Sequence, residues 1–307
     1  MRKLWITLSF FTILSAGAQE PLLNHSIFNQ LAINPGYTGS SGMISATAMH
    51  RQQWAGFGKG SPITSVFNID AAISPFGFNS GIGLNILQDQ FGFNQDLGVN
   101  LSYAARFALQ GIGNLAFGIN GGFINNTLDP TWIPPDGGSG DEIIPIGKQS
   151  DINFDIGAGV FFNNSDMFFG VSATHINETK MYTGYSTHYK RQFYVVGGYF
   201  LQFANPNWEF SPVVLISSDL VINQMSINAN LIYNKRFWGG VSYRVGESVT
   251  GMVGVELFSG LRVGYAYDFS TTEISGFNSG SHEFMLGYSF SLKKERAPQQ
   301  YKSIRFL

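Results

Sequence analysis

Ser226-Ile227-Asn228-Ala229-Asn230-Leu231-Ile232-Tyr233 decides the fold of this chain. Ile227, Ala229, Leu231 and Tyr233 fall on one phase, and Ser226, Asn228 and Asn230 fall on the other. Side chains of a strand alternate between faces with period two, so this octapeptide has one apolar and one polar side. The same rhythm returns from Gly42 to Leu292 in about fourteen segments. They are separated by breaks of Gly, Asn, Asp, Ser or Pro. Many run to about ten residues. Strands of a soluble sandwich need only about 5–6, whereas ~9–11 residues carry a tilted strand across a bilayer. The expectation is an all-β, up-and-down antiparallel transmembrane barrel of about 14 strands over residues 42–292, its apolar face turned to lipid.

Composition narrows the class. The first residues read as an export signal over residues 1–18: Arg2 and Lys3, an apolar run from Leu4 to Leu14, then Ala16-Gly17-Ala18 as a small-residue cleavage site. No later run offers the ~18–20 continuous apolar residues of a spanning helix, so a membrane crossing here requires a closed barrel. The chain has no cysteine, which removes both a disulfide framework and a lipid-attachment cysteine after the leader. Charged residues are only 12%, against about 25% in ordinary soluble domains, and aromatics reach 15%, which suits girdles at two membrane interfaces. With 18 Lys+Arg against 20 Asp+Glu, and Arg2 and Lys3 leaving with the leader, no basic field exists to recruit nucleic acid.

Connection lengths give orientation. Turns around Pro75-Phe76-Gly77, Gln110 to Gly113, Asn163 to Asp166, Asn205-Pro206-Asn207, Asn234-Lys235-Arg236 and Ser259-Gly260 are tight. The long connections, Thr127 to Ser150, Asn177 to Thr187 and Thr271 to Ser281, fall at the other end. Outer-membrane barrels have short periplasmic turns and longer outer loops, so both termini are expected on the periplasmic side of the outer membrane.

Charges fall on the polar phase in strand after strand: Arg51, Asp70, Arg106, Arg244, Glu256, Arg262, Asp268 and Glu283. Facing hydrocarbon at midplane, an Arg or Lys would cost ~2–4 kcal/mol, so these side chains are expected to form a lumen-facing polar network. That network either braces the barrel or serves conduction and binding. Residues 19–41 lie outside the rhythm. They read either as a plug that tucks into the barrel, with Asn34, Pro35, Tyr37 and Trp54 as candidate plug or partner residues, or as a flexible leader. The tail, residues 293–307, carries Lys293, Lys294, Arg296, Lys302 and Arg305 against Glu295, and either contacts an acidic partner or stays solvated.

Chemistry is hard to place on this chain. Its five histidines show no metal spacing, and Ser26 beside His25 lacks the spatial arrangement a hydrolase needs. Asp136 to Glu142 offers oxygen ligands without the full spacing of a calcium loop. No enzyme activity, metal or cofactor is expected.

Asn29-Gln30-Leu31-Ala32-Ile33-Asn34-Pro35-Gly36-Tyr37-Thr38-Gly39 and Arg51-Gln52-Gln53-Trp54 are followed by Asn68-Ile69-Asp70, Phe237 to Arg244, Gly264 to Asp268 and Gly280 to Leu286. In this order they resemble the PorP/SprF family of the type IX secretion system of Bacteroidetes. Gly36 and Thr38 replace the usual alanines of its Asn-Pro motif. The resemblance implies a non-enzymatic outer-membrane barrel that binds or anchors a secreted adhesin or other type IX cargo, or periplasmic and lipoprotein components of the machinery, in secretion and gliding. A passive outer-membrane channel or hydrophobic-solute transporter is the alternative. Bulky inward Trp238, Met252 and Met285 stand against it.

Overall fold

The computed structural model describes residues 22–129, 147–181, 187–258 and 260–291. The leader, the acidic Asp136–Glu142 loop and the basic tail lie outside the described residues.

Fourteen strands form the wall: β1 Ile44–Gln52, β2 Ile63–Ile73, β3 Ser80–Phe91, β4 Asn94–Leu109, β5 Gly113–Leu128, β6 Gln149–Asn163 and β7 Met167–Thr174 make one half. The other half is β8 Gln192–Tyr199, resumed at Leu201–Gln202, then β9 Trp208–Ser218, β10 Asn223–Tyr233, β11 Phe237–Arg244, β12 Ser248–Phe258, β13 Leu261–Ser270 and β14 Ser281–Phe290. Every strand pairs antiparallel with its sequence neighbours. β1 closes the cylinder on β14, with Ile44 opposite Phe290 and Gln52 opposite His282. No edge is left to template a foreign strand. None of the described helices is long and apolar enough to cross a membrane.

The period-two reading holds around the wall. Ile227, Leu231 and Tyr233 are exposed outward while Ser226, Asn228 and Asn230 are buried inside. Leu97, Val99, Leu101, Tyr103 and Phe107 form another outward row, and Phe284, Leu286, Tyr288 and Phe290 line the last strand. In water such a surface would be a continuous apolar patch. A hydrocarbon solvent removes the conflict.

His188 belongs to a small ribbon in which Lys180–Met181 pairs with Thr187–His188, and the wall strand β8 begins at Gln192. β1 ends at Gln52, and Trp54 just beyond it takes a left-handed φ of 51°. The connections after β2, β4, β6, β8, β10 and β12 are all short and share one end, while the other end carries the longer loops 53–62 and 271–280 and the described residues that flank β5, β6, β7 and β8, beside the short connections 92–93, 219–222 and 245–247. These are called the short-turn end and the long-loop end.

Candidate functional site: a segment threaded through the lumen

Residues 22–41 occupy the interior. A short 3-10 turn, Ser26–Phe28, leads into one helical turn, Gln30–Ile33, and then into a second 3-10 turn, Pro35–Tyr37. None is long enough to be stable alone, so the wall holds their shape. The chain comes down the length of the barrel. Leu22 and Asn24 meet Arg244 and Thr250 near the long-loop ends of β11 and β12, whereas Thr38 and Gly39 meet Arg106 and Asp70 near the short-turn ends of β4 and β2. From there it enters β1.

At the upper part of the segment one carboxylate gathers four donors. Glu283, on β14, accepts the backbone N–H of Asn24 at 2.8 Å and of His25 at 2.9 Å, and pairs with His25 Nδ1 at 2.8 Å. Arg51 Nη1 lies 3.4 Å from its other oxygen, and Arg51 Nη2 pairs with Asp268 at 2.5 Å. Glu283 is 0% exposed and Arg51 2%. Thr250 donates to Asp268 as well. Arg244 donates to the carbonyl of Leu22 at 2.9 Å and to Asn24 Oδ1 at 3.2 Å, and pairs outward with Glu247 at 3.0 Å. Charges this deeply buried persist only when paired and hydrogen-bonded, and here wall side chains and the backbone of Leu22, Asn24 and His25 supply the partners together.

At the lower part small residues replace charge. Asn34, fully buried, donates through Nδ2 to the carbonyl of Val160 at 3.0 Å and accepts the N–H of Gly36 at 2.8 Å through Oδ1. The Pro35–Gly36 backbone lies against bare inward Cα atoms of the wall. A Cβ on Gly118 would stand 2.3 Å from Gly36 N and from Pro35 C, and one on Gly81 would stand 2.2 Å from the Thr38 carbonyl oxygen. Glycine at these two positions is a condition of the close approach. Arg106 Nη1 donates to the Thr38 carbonyl at 3.3 Å, and Asp70 accepts the Gly39 N–H at 2.8 Å.

Apolar packing supports both ends. Leu22 and Ile33 pack with Phe161, Phe168, Tyr194, Val196, Val213 and Leu215, and Leu23 with Met49, Val66 and Met285. Each such side chain contributes roughly 1.5–3 kcal/mol when fully buried. Phe28 stacks at a tilt on Trp238, 5.3 Å between ring centroids, and carries the Arg262 guanidinium over its ring at 5.2 Å.

The structure therefore joins Arg51, Asp268 and Glu283 in one cluster, with Arg244 bridged to it through Asn24 and Thr250. Asp70 and Arg106 sit at the opposite end on Gly39 and Thr38. Arg262 donates to Ser289 at 2.6 Å, and Glu256 accepts the Gly260 N–H at 3.1 Å, both toward the short-turn end. Asn34, Pro35 and Tyr37 belong to the segment. Trp54 does not join them: it sits in the 53–62 loop, its N–H donating to Ser281 Oγ at 3.1 Å and its ring 6.0 Å from Phe57. The part of Asn24 and His25 in holding Glu283 and Arg244 escaped the sequence reading, because an isolated His and Asn before the strand rhythm give no periodic signal. Ser26 Oγ has no hydrogen-bond partner and His25 Nδ1 is engaged with Glu283, so these neighbours form no nucleophile–base pair.

Residues 15–288 match the family described as type IX secretion system membrane protein PorP/SprF. The chain belongs to the PorP/SprF family. As a member of it, the protein is a type IX secretion system membrane protein built as a fourteen-strand barrel. No curated protein matches the chain. Among solved structures it is similar to the outer membrane protein Omp33 of Acinetobacter baumannii, with a TM-score of 0.47 and 7% identity over 81% of this chain and 99% of that one. The TodX deltaS2S3 mutant monoaromatic hydrocarbon channel gives a TM-score of 0.42 with 8% identity, covering 80% and 88%. A triple-mutant porin of Rhodopseudomonas blastica gives 0.36 with 11% identity, covering 81% and 99%. PorP/SprF membership accounts for the order of motifs from Asn29 to Leu286.

Proposed function

We propose that this PorP/SprF protein is an outer-membrane barrel whose lumen is sealed by residues 22–41. Its ends act as docking surfaces, binding a secreted adhesin or other type IX cargo, or periplasmic and lipoprotein parts of the machinery. The observation that carries the reading is the segment itself, clamped by Glu283 and Arg244 at one end and by Gly118, Gly81, Asp70 and Arg106 at the other. A cylinder with a clamped segment threaded along its length is a scaffold before it is a conduit. Short turns then face the periplasm and the long loops face outward.

Deleting the protein from its host should abolish surface display of a cognate adhesin, read by whole-cell protease accessibility, while uptake of small nutrients is unchanged. Normal display of every type IX substrate would remove the proposal.

A channel reading makes a different demand on the same purified barrel. In planar bilayers the intact protein should stay closed, and a variant lacking residues 22–41 behind the natural leader should give steady conductance. Open conductance from the intact protein would put the passive channel in place of the scaffold.

A further inference from the structure

Where β14 closes on β1, the outer face of the wall carries two histidines that the scaffold reading leaves without a task. His50 of β1 stands opposite Phe284, and Gln52 stands opposite His282. The two imidazoles are therefore diagonal neighbours on the lipid side, with roughly 7–8 Å between their positions on the strands. On β13, β14, β1 and β2 the outward phase is otherwise aliphatic or aromatic, except for Ser65 and Gln52 at the same end. The carboxylates of these strands, Asp70, Asp268 and Glu283, are all buried inside.

Each ring is held in the same way. His50 Nδ1 lies 2.9 Å from Ser65 Oγ, and His282 Nδ1 lies 2.8 Å from the Tyr265 hydroxyl. Neither hydroxyl has another partner among the described residues, so each donates its proton to Nδ1. The ring hydrogen then sits on Nε2, and no hydrogen bond among the described residues engages that atom in either histidine. An N–H left unmet against hydrocarbon costs ~1–3 kcal/mol. The neighbouring wall gives the depth of the pair: Gln88 lies opposite Ser65, and Gln90 lies opposite Ile63 on one side and Gln95 on the other, so the outward phase turns polar at this height. Both rings stand at headgroup level, at the long-loop end.

Two outward N–H groups at that depth select the part of a lipid they hold. A phosphate brings only acceptors and meets both, with no outward carboxylate on these strands to repel it, whereas an ammonium or choline group brings no acceptor at all. Below His50 the same phase of β1 holds Ala48 and Ala46. Bulkier side chains stand opposite them on both sides, Phe67 and Ile69 on β2, Leu286 and Tyr288 on β14. The result is a furrow that runs from the imidazoles toward the middle of the wall, where an acyl chain gains contact on three sides. We propose that His50 and His282 hold the phosphate of a membrane lipid in the leaflet at the long-loop end, with one acyl chain lying along Ala48 and Ala46. The inference continues the lipid-facing wall and is independent of the secretion role.

The test is native mass spectrometry of the full-length barrel in detergent, titrated with dimyristoyl phosphatidic acid. Dimyristoylglycerol, which lacks the phosphate, and a monogalactosyl diacylglycerol, which offers hydroxyls instead, are the comparison lipids. Phosphatidic acid should give a saturable one-to-one adduct at least tenfold tighter than either. The pair His50→Leu and His282→Leu should lower that affinity at least tenfold. Ala48→Leu, which fills the furrow and leaves both rings in place, should also weaken it, and it decides the matter should the histidine pair fail to fold. Heat-modifiable migration on gels verifies folding of each variant. Inorganic phosphate at the same concentration should leave the lipid adduct in place. The proposal is overturned if a phosphate-free lipid binds as tightly, if the folded variants bind phosphatidic acid as the parent does, or if inorganic phosphate displaces the lipid as well as the lipid displaces itself.

Discussion

Glu283→Ala should free the N-terminal segment and open the barrel while leaving the wall intact. One carboxylate accepts the Asn24 and His25 N–H groups and pairs with the His25 ring and with Arg51, all inside the wall. Removing one partner of a buried ion pair costs about 3–5 kcal/mol, because the surviving charge stays buried. Two backbone donors left unmet add ~1–3 kcal/mol each. Arg51 keeps Asp268, which softens the loss without restoring any contact to the segment. The opposing terms are the Arg244 bonds to the Leu22 carbonyl and Asn24 Oδ1 and the apolar contacts of Leu22 and Leu23, each worth roughly 1.5–3 kcal/mol, so this end detaches far more often than in the parent. The strand ladder does not pass through Glu283's side chain. Heat-modifiable gel migration should therefore persist, while proteinase K cuts within the segment and conductance appears in bilayers. Glu283→Gln, which keeps an acceptor oxygen, should fall between. A closed, protease-resistant Glu283→Ala barrel would show that the cluster braces only the wall.

Gly118→Val attacks the other clamp by bulk alone. A Cβ there meets Gly36 N and Pro35 C at 2.3 Å, and these are backbone atoms that no rotamer change can move. The wall at β5 is fixed on both sides by β4 and β6, so the segment must yield. Displacing Pro35–Tyr37 costs Asn34 its bond to Val160 and Arg106 its bond to Thr38, an expected loss of several times ~1 kcal/mol. Protease cleavage near Pro35 should rise at least tenfold over the parent. Gly121→Ala is the control, since a Cβ at that position meets nothing within 4 Å. Equal protection in Gly118→Val and Gly121→Ala would mean that the segment is not seated where the glycines place it.

Much of this architecture is local and was therefore readable. Ile227, Leu231 and Tyr233 point outward because their spacing is even, whatever lies beside them. The short connections at Pro75–Gly77 and Asn234–Arg236 announce themselves through turn residues, and the long ones through their length. Strand ends were less legible, because partners set them: His188 pairs across to Lys180 in a loop ribbon outside the wall, and the β1 ladder stops before Trp54, whose backbone is left-handed. The candidate site divided in the same way. The inward phase of Arg51, Asp268 and Glu283 followed from parity, but their meeting with each other and with His25 did not.

From residues alone came the all-β wall, its count of about fourteen strands, the outward and inward faces, the sorting of turns from loops, and the family signature from Asn29 onward. These depend on neighbours two to ten positions apart. Tertiary structure alone decided which inward groups touch: His25 reaches Glu283 across a separation of 258 residues, and Pro35 finds the bare Cα of Gly118. Such contacts depend on the register with which β1 meets β14 and on the path of a segment with no periodicity of its own. Alternation specifies the face on which a side chain lies; only closure of the cylinder specifies what stands opposite it.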